Sequence, residues 1–206
     1  QRGIRSEIIT KEAIIANGTG NDVPEKIRNY IIEEYQNHGV EFVLLGGDVE
    51  LIPYRGFFCH VQSGGGYEDD GIPADLYYSA LDGTWDDNGN FQYGEPDEDD
   101  LLPEVAVARF PFSTPAELEN MIHKSHYYQD FPVTGELTHA LMAGEHLYSD
   151  PETWGSDYLE LLIGERSDNG YTTNGIPTDY NFEKLYQENQ SWTKYDLMNA
   201  INAGKQ

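Results

Sequence analysis

The amino-acid sequence predicts an α/β protein, with helices flanking a mainly parallel sheet. Three observations carry this expectation. Short apolar runs alternate with stretches of helical periodicity, as strand–helix–strand crossovers require. Residues 40–47 (VEFVLLGG) put five apolar residues among their first six and close on glycines, the pattern of a strand buried on both faces. Capping residues stand where the helical stretches begin.

The elements follow in chain order. Residues 4–9 (IRSEII) read as a short strand, and a helical turn starts at Thr10. Residues 17–21 (NGTGN) form a turn-rich break. Asp22 caps a helix with Pro24 in its first turn, and Gly39 ends it. Ile27, Tyr30, Ile31 and Tyr35 share one face of that helix, which therefore lies on a core. Asp48 follows strand 40–47 at its carboxyl end, the edge where open α/β sheets bind ligands. Residues 55–61 (RGFFCHV) read as a strand and residues 63–71 (SGGGYEDDG) as a flexible loop. A strand over 104–108 precedes Thr114-Pro115-Ala116-Glu117, a capping box with proline at the first helical position. The helix that follows turns Leu118, Met121 and Ile122 inward. Residues 137–143 (LTHALMA) form a further strand, with Glu145 at its end. Ser156 or Asp157 caps a helix through Leu159, Leu162 and Ile163. Residues 181–186 read as a strand, and Ser191 or Thr193 starts a last helix that Gly204 ends.

Composition narrows the function classes. The net charge is -25 and the pI near 4.2, so no basic stripe exists to meet nucleic-acid phosphates. The apolar content of 38% suffices for a packed interior of one domain, or of two small layers sharing a core. Cys59 is the single cysteine, which excludes an internal disulfide. No apolar run approaches the ~20 residues of a membrane span. Gln1-Arg2-Gly3 reads as the start of a mature or trimmed fragment, and the stop at Lys205-Gln206 falls where another strand is expected.

Residues 82–100 hold eight carboxylates and no lysine or arginine. Such like charges must be spread apart, solvated or given a cation. Asp86, Asn88, Asn90, Gln92 and Asp97 fall at positions one, three, five, seven and twelve of an EF-hand-like loop, and oxygen donors of this kind suit calcium. Phe91 stands where that loop needs glycine, and Asp97 replaces the bidentate Glu. The expectation is a calcium site of another build; the plainer reading is a solvated acidic hairpin tip. Asp48 and Asp75 contact a cation or shape the cleft in one reading; in the plainer one they bond neighbouring backbone. Cys59 and His60 are adjacent in a strand and point to opposite faces, so they cannot share a proton. His123 and His126 stand at i, i+3 on a helix, where a solvent-facing pair outweighs a metal site.

The blocks FVLLGGDVELIPYR, IPADLYYSALDGTWDDNGN, the acid run and LPEVAVARFPFSTPAELENMI, in this order, resemble the gingipain-like clan of cysteine peptidases (peptidase family C25). A looser similarity extends from about Gly3 to the end of the chain. The resemblance implies a caspase-like three-layer sandwich, a Cys–His dyad, stabilising Ca2+, protein or peptide substrates and a secreted or cell-surface bacterial enzyme. It implies that the catalytic His and Cys lie beyond residue 206. The chain would then be the amino-terminal portion of a peptidase domain, inactive alone and completed by the remainder. Glu145, ending ALMAGE, matches the acidic residue that orients the catalytic His. Asp157, in WGSDYLE, matches the carboxylate at the floor of the first specificity pocket of the arginine-cleaving members. The rival expectation is a non-catalytic extracellular calcium-binding domain for adhesion or scaffolding.

Overall fold

The first two helices start from short polar side chains. Thr10 accepts the N–H of Ala13 and starts α1 (Lys11–Asn17). Asp22 accepts the N–H of Glu25 at 3.0 Å and starts α2 (Val23–His38), with Pro24 in its first turn. Gly39, at φ 68°, closes α2 in the left-handed region that a Cβ disfavours. The computed structural model describes residues 5–62, 65–168 and 170–203.

The fold is mixed α/β with small parallel sheets, and it divides into two units, Gln1–His123 and Lys124–Gln206. In the first, α2 is followed by β1 (Phe42–Gly46), β2 (Arg55–Val61), β3 (Tyr67–Ala74), a 3-10 turn at Leu76–Tyr78 and β4 (Ala106–Phe110). Strands β1 and β4 pair in parallel, from Phe42 opposite Ala106 to Gly46 opposite Phe110. Strands β2 and β3 form an antiparallel hairpin. Helix α3 (Pro115–Asp130) starts from the capping box read in the sequence: the Glu117 carboxylate accepts the N–H groups of Ser113 and Thr114.

The second unit contains β5 (His139–Gly144), β6 (His146–Ser149), β7 (Glu152–Trp154), α4 (Gly155–Leu159) and a 3-10 turn at Glu160–Leu162. It continues through β8 (Glu165–Asp168), β9 (Tyr171–Asn174), β10 (Asn181–Tyr186) and α5 (Lys194–Asn202). Strands β5 and β10 are parallel, from His139 opposite Asn181 to Gly144 opposite Tyr186. The β6–β7 and β8–β9 pairs are antiparallel. The described residues thus form five two-stranded sheets, two parallel and three antiparallel.

Several expectations are corrected. Residues 5–9 pair with no strand, and Ile8 and Ile9 are exposed; Ile4 lies outside the described residues. Residues 67–71 are strand rather than loop, because their backbone ladders onto β2; Ser63 and Gly64 lie outside the described residues, as does Gly204. Strand β1 is buried on one face only: Leu45 faces the core, whereas Phe42 and Leu44 are 63% and 58% exposed. Helix α3 buries no residue, and Ile122 is exposed.

The core of the first unit gathers Ile27 and Ile31 of α2, Leu45 of β1, and the aromatic run Tyr77, Tyr78 and Trp85. Burying each of these side chains is worth on the order of 2 kcal/mol. Two arginines are buried among them. Arg28, 4% exposed, donates to the carbonyl oxygens of Ala80 at 3.0 Å, Asp82 at 2.9 Å and Gly83 at 3.3 Å. Arg55 forks onto both carboxylate oxygens of Asp22 at 2.8 Å and lies over the rings of Tyr77 and Tyr93.

Asp22 therefore both caps α2 and pairs with Arg55. Burial pushes its carboxyl up, but the hydrogen bonds from Arg55 and from the Glu25 N–H outweigh that and hold it below its ordinary value. A carboxyl depressed in the folded state contributes stability that is complete above its unfolded pKa of about 4 and is lost as pH falls through the lower folded value. Asn preserves the helix cap and removes the charge. Asp22→Asn should therefore lower stability at pH 7 and flatten its fall below pH ~4. Urea unfolding at a series of pH values reads this, and parallel acid limbs for the two proteins would refute it.

Candidate functional site

The acidic stretch of the first unit is held at both ends. Asp82 follows the buried Leu81, and Glu104 precedes the buried Val105. A Glu104 carboxylate oxygen accepts the N–H of Leu81 at 2.5 Å, and the Glu104 N–H bonds the carbonyl of Ser79. Asp100 uses Oδ1 to accept the N–H of Leu102, while its Oδ2 is shielded from solvent without a hydrogen-bond partner. One carboxylate oxygen from each of Asp82, Asp100 and Glu104 lies within 4.8 Å of the others. Each like-charged pair at that separation costs about 1 kcal/mol even at the dielectric of water. The Arg28 guanidinium is the nearby counter-charge. Burial pushes its pKa down, and Tyr77, Asp100 and Glu104 act in the opposite direction. Three hard oxygen donors with one orphaned buried oxygen make an acidic cluster suited to a hard cation.

The five ligands expected from sequence lie elsewhere on the same stretch. Both oxygens of Asp86 accept the N–H of Phe91, Asn88 Oδ1 accepts that of Asn90, and Asn90 Oδ1 accepts that of Gln92. The side-chain amides of Asn88 and Asn90 converge on Glu95, and Glu98 accepts the N–H of Asn88. Phe91, at φ 67°, takes the left-handed conformation for which an EF-hand uses glycine; Asp97, at φ 73°, does likewise between Glu95 and Glu98. Sequence spacing missed Asp82, Asp100 and Glu104, although each borders an apolar residue.

In the second unit, two glycines bring the end of β5 against the start of α4. A Cβ on Gly144 would lie 2.7 Å from the nitrogen of Ser156, and one on Gly155 would lie 3.0 Å from the Gly144 Cα. This approach puts Glu145 at the carboxyl edge of the β5–β10 pair, where the Glu145 carbonyl accepts the Gly155 N–H at 2.8 Å. Gln187 N–H and the Trp192 indole donate to the Gly144 carbonyl, and Gln187 Oε1 accepts the His146 N–H. The main chain around Glu145 is fixed while its side chain is exposed.

Asp157 lies two residues past Gly155, near the same edge. It is exposed, and its Oδ2 accepts the N–H of Trp154 at 2.8 Å. Trp154, rather than Ser156 or Asp157, is the capping position of α4, because the glycine contact fixes Gly155 as the first helical residue. Ser156 is buried, and its hydroxyl donates to Glu188 Oε2 at 2.9 Å. Asp157 and Ser156 line a cavity of about 400 Å³ with Glu160, Lys184, Tyr186, Glu188 and Asn189. Glu160 Oε1 accepts the Lys184 ammonium at 2.6 Å and the Tyr186 hydroxyl at 2.8 Å. The Lys184 bond, aided by Tyr186, holds the Glu160 carboxyl below its ordinary value; burial first, then Glu160, pushes the Tyr186 phenol up.

The remaining candidates serve the scaffold. Asp48 accepts the N–H of Val49, and Asp75 takes a two-pronged bond from Arg109 at 2.6 and 2.7 Å. Arg109 also donates to the carbonyls of Gly47 and Ile52. Cys59 and His60 stand opposite Asp69 and Glu68 in the β2–β3 hairpin. His126 lies 3.5 Å from Asp130.

Comparison with known proteins adds three findings. The model of "Peptidase family C25" matches residues 1–206. Among solved structures, a complex of Porphyromonas gingivalis RgpB pro- and mature domains is 24% identical with a TM-score of 0.46; the match covers 70% of this chain and 28% of that one. No curated protein matches the chain.

The glycine contact yields a direct test. Gly144→Ala should cost about 2 kcal/mol, because the new methyl meets main chain that cannot swing away. Gly135→Ala, with nothing within 4 Å of the added Cβ, should leave thermal stability close to the parent's. Equal melting temperatures for the two variants would contradict the packing described.

Proposed function

The chain belongs to peptidase family C25, a family of cysteine peptidases, and we propose that it is the amino-terminal portion of a secreted, gingipain-like endopeptidase domain. The whole domain would be a caspase-like three-layer sandwich acting on protein or peptide substrates. The observation that supports this best is the common edge of Glu145 and Asp157: the glycine contact sets both beside the carboxyl end of a parallel strand pair, the usual place for an α/β site.

In this reading Glu145 accepts an imidazole N–H, fixes the tautomer of the catalytic His and favours its charged form. Asp157 lines the first specificity pocket. The thiolate attacks the peptide carbonyl, the amine leaves with a proton from the imidazolium, and water hydrolyses the acyl-enzyme. Cys59 and His60, adjacent on β2, face opposite sides of the β2–β3 hairpin and do not form the dyad. The nucleophile and its His are assigned to residues beyond 206. The exposed apolar side chains of β1 (Phe42, Leu44) and α5 (Tyr195, Met198) are surfaces for the remainder of the domain to cover.

Calcium fits the cluster of Asp82, Asp100 and Glu104, which offers hard oxygens and an orphaned buried one. It would neutralise the repulsion there and stabilise the fold. The loop of Asp86, Asn88, Asn90, Gln92 and Asp97 is the second candidate, although the side-chain oxygens of Asp86, Asn88 and Asn90 already serve main-chain N–H groups.

Calcium at a hundredfold excess over its Kd should stabilise the chain by about 2.7 kcal/mol. Melting curves with calcium and with chelator should differ for the parent and for Asp86→Asn, and coincide for Asp100→Asn/Glu104→Gln. The reverse pattern would move the ion to the loop of residues 86–97, and no shift in any protein would remove calcium from the account. In the polypeptide extended through its catalytic His and Cys, Glu145→Gln should lower kcat by about 10²-fold or more with little change in KM. An unchanged kcat would end the orienting role of Glu145.

A further inference from the structure

Strand alternation puts Phe182, Lys184 and Tyr186 of β10 on one face. The Lys184 ammonium lies 5.7 Å from the Phe182 ring centroid and 5.8 Å from that of Tyr186, and it bonds Glu160 Oε1 at 2.6 Å. Two rings and a carboxylate around an ammonium make a cation cage. The Tyr186 hydroxyl, bonded to the same Glu160 oxygen, fixes that carboxylate in place. The cage opens into the cavity of about 400 Å³ beside α4, where Glu188 is held by the buried Ser156 and Asp157 by the Trp154 N–H. The cavity thus carries three carboxylates and a single cation, which the chain itself supplies. Lys184 is a long, flexible side chain, 36% exposed, and its ammonium is held by side-chain groups alone.

Building on the peptidase reading of this edge, we propose that Lys184 is a specificity-determining residue: a tethered occupant that a cationic substrate side chain must displace from the cage of Glu160, Phe182 and Tyr186. A tethered ligand competes at an effective concentration in the millimolar range, well above that of most free ligands. The pocket therefore resists basic side chains more than its carboxylates alone would. Lys184 sets the threshold, and Glu160 is the group exchanged between the two cations. Asp157 and Glu188 flank the exchange and supply the field that favours entry of a second positive charge.

Titration of the 206-residue chain with N-acetyl-arginine amide, and with the neutral N-acetyl-norleucine amide, tests this. Lys184→Met keeps the stem and removes the competitor, so arginine-amide affinity should rise roughly fivefold or more while norleucine-amide affinity stays level. Glu160→Gln should lower arginine-amide affinity in both the parent and the Lys184→Met background. Melting curves establish that each variant folds. Unchanged or weaker arginine-amide binding by Lys184→Met overturns the proposal. So does loss of binding in Asp157→Asn alone with no response to Lys184 or Glu160, which would leave the pocket role of Asp157 standing. Failure of every variant to bind also overturns it, while the orienting role of Glu145, read by kcat, is untouched.

Discussion

A buried guanidinium decides how the acidic half of the first unit can fold. Residues 82–100 have no cation of their own, and Arg28 comes to them from α2, more than fifty positions earlier. Its planar fork reaches the carbonyls of Ala80, Asp82 and Gly83 together, which a lysine ammonium could not do from one position. Those bonds set the turn that buries Trp85, whose indole also donates to Ala80. They also bring a positive charge to the place where Asp82, Asp100 and Glu104 converge. The aromatic core and the acid cluster thus share one cause: without the fork, the turn would lose three of its bonds and the carboxylates their nearby counter-charge.

The second unit is organised by sterics. Where Gly144 meets Gly155, main chain touches main chain, and the Glu145 carbonyl closes the contact with the Gly155 N–H. A strand end and a helix start can approach so closely only when neither carries a Cβ at the crossing. The gain is a fixed main chain at Glu145 and at the start of α4. It also explains why Trp154 precedes the helix: the chain must enter α4 extended before the glycine turns it.

Much of this was legible in the sequence wherever a local rule decides the outcome. Asp22, Pro24 and Gly39 announced both ends of α2, and Thr114 with Glu117 announced α3, because caps act within four residues. Residues 55–61 and 181–186 were read at their observed limits for a similar reason: turn residues bound them. What escaped depends on distant partners. Residues 67–71 look like loop by composition and become strand through the ladder onto β2. The acid cluster joins Asp82 to Glu104 through their neighbours Leu81 and Ser79, a closure that spacing rules for contiguous metal loops do not describe. The aromatic cage around Lys184 was equally silent, since Glu160 reaches it from another element.

With 37 carboxylates and 12 lysines and arginines, cations cannot satisfy most of the acids in this chain. Main-chain N–H groups take their place. Glu117 accepts from Ser113 and Thr114, Asp196 from Thr193, Asp157 from Trp154 and Glu104 from Leu81. The bonds from the main chain hold Glu117 below its ordinary pKa, and those from Thr193 do the same for Asp196. Each arrangement leaves carboxylate capacity beyond the structural bond, because a carboxylate accepts at more than one lone pair. In such a chain an acid whose one lone pair holds a helix start or a turn keeps another lone pair open to a cation or a ligand. Substituting an acid to test recognition then also loosens the element that presents it. The two effects separate at Glu160, whose carboxylate is bonded by the side chains of Lys184 and Tyr186 and not by a helix N–H.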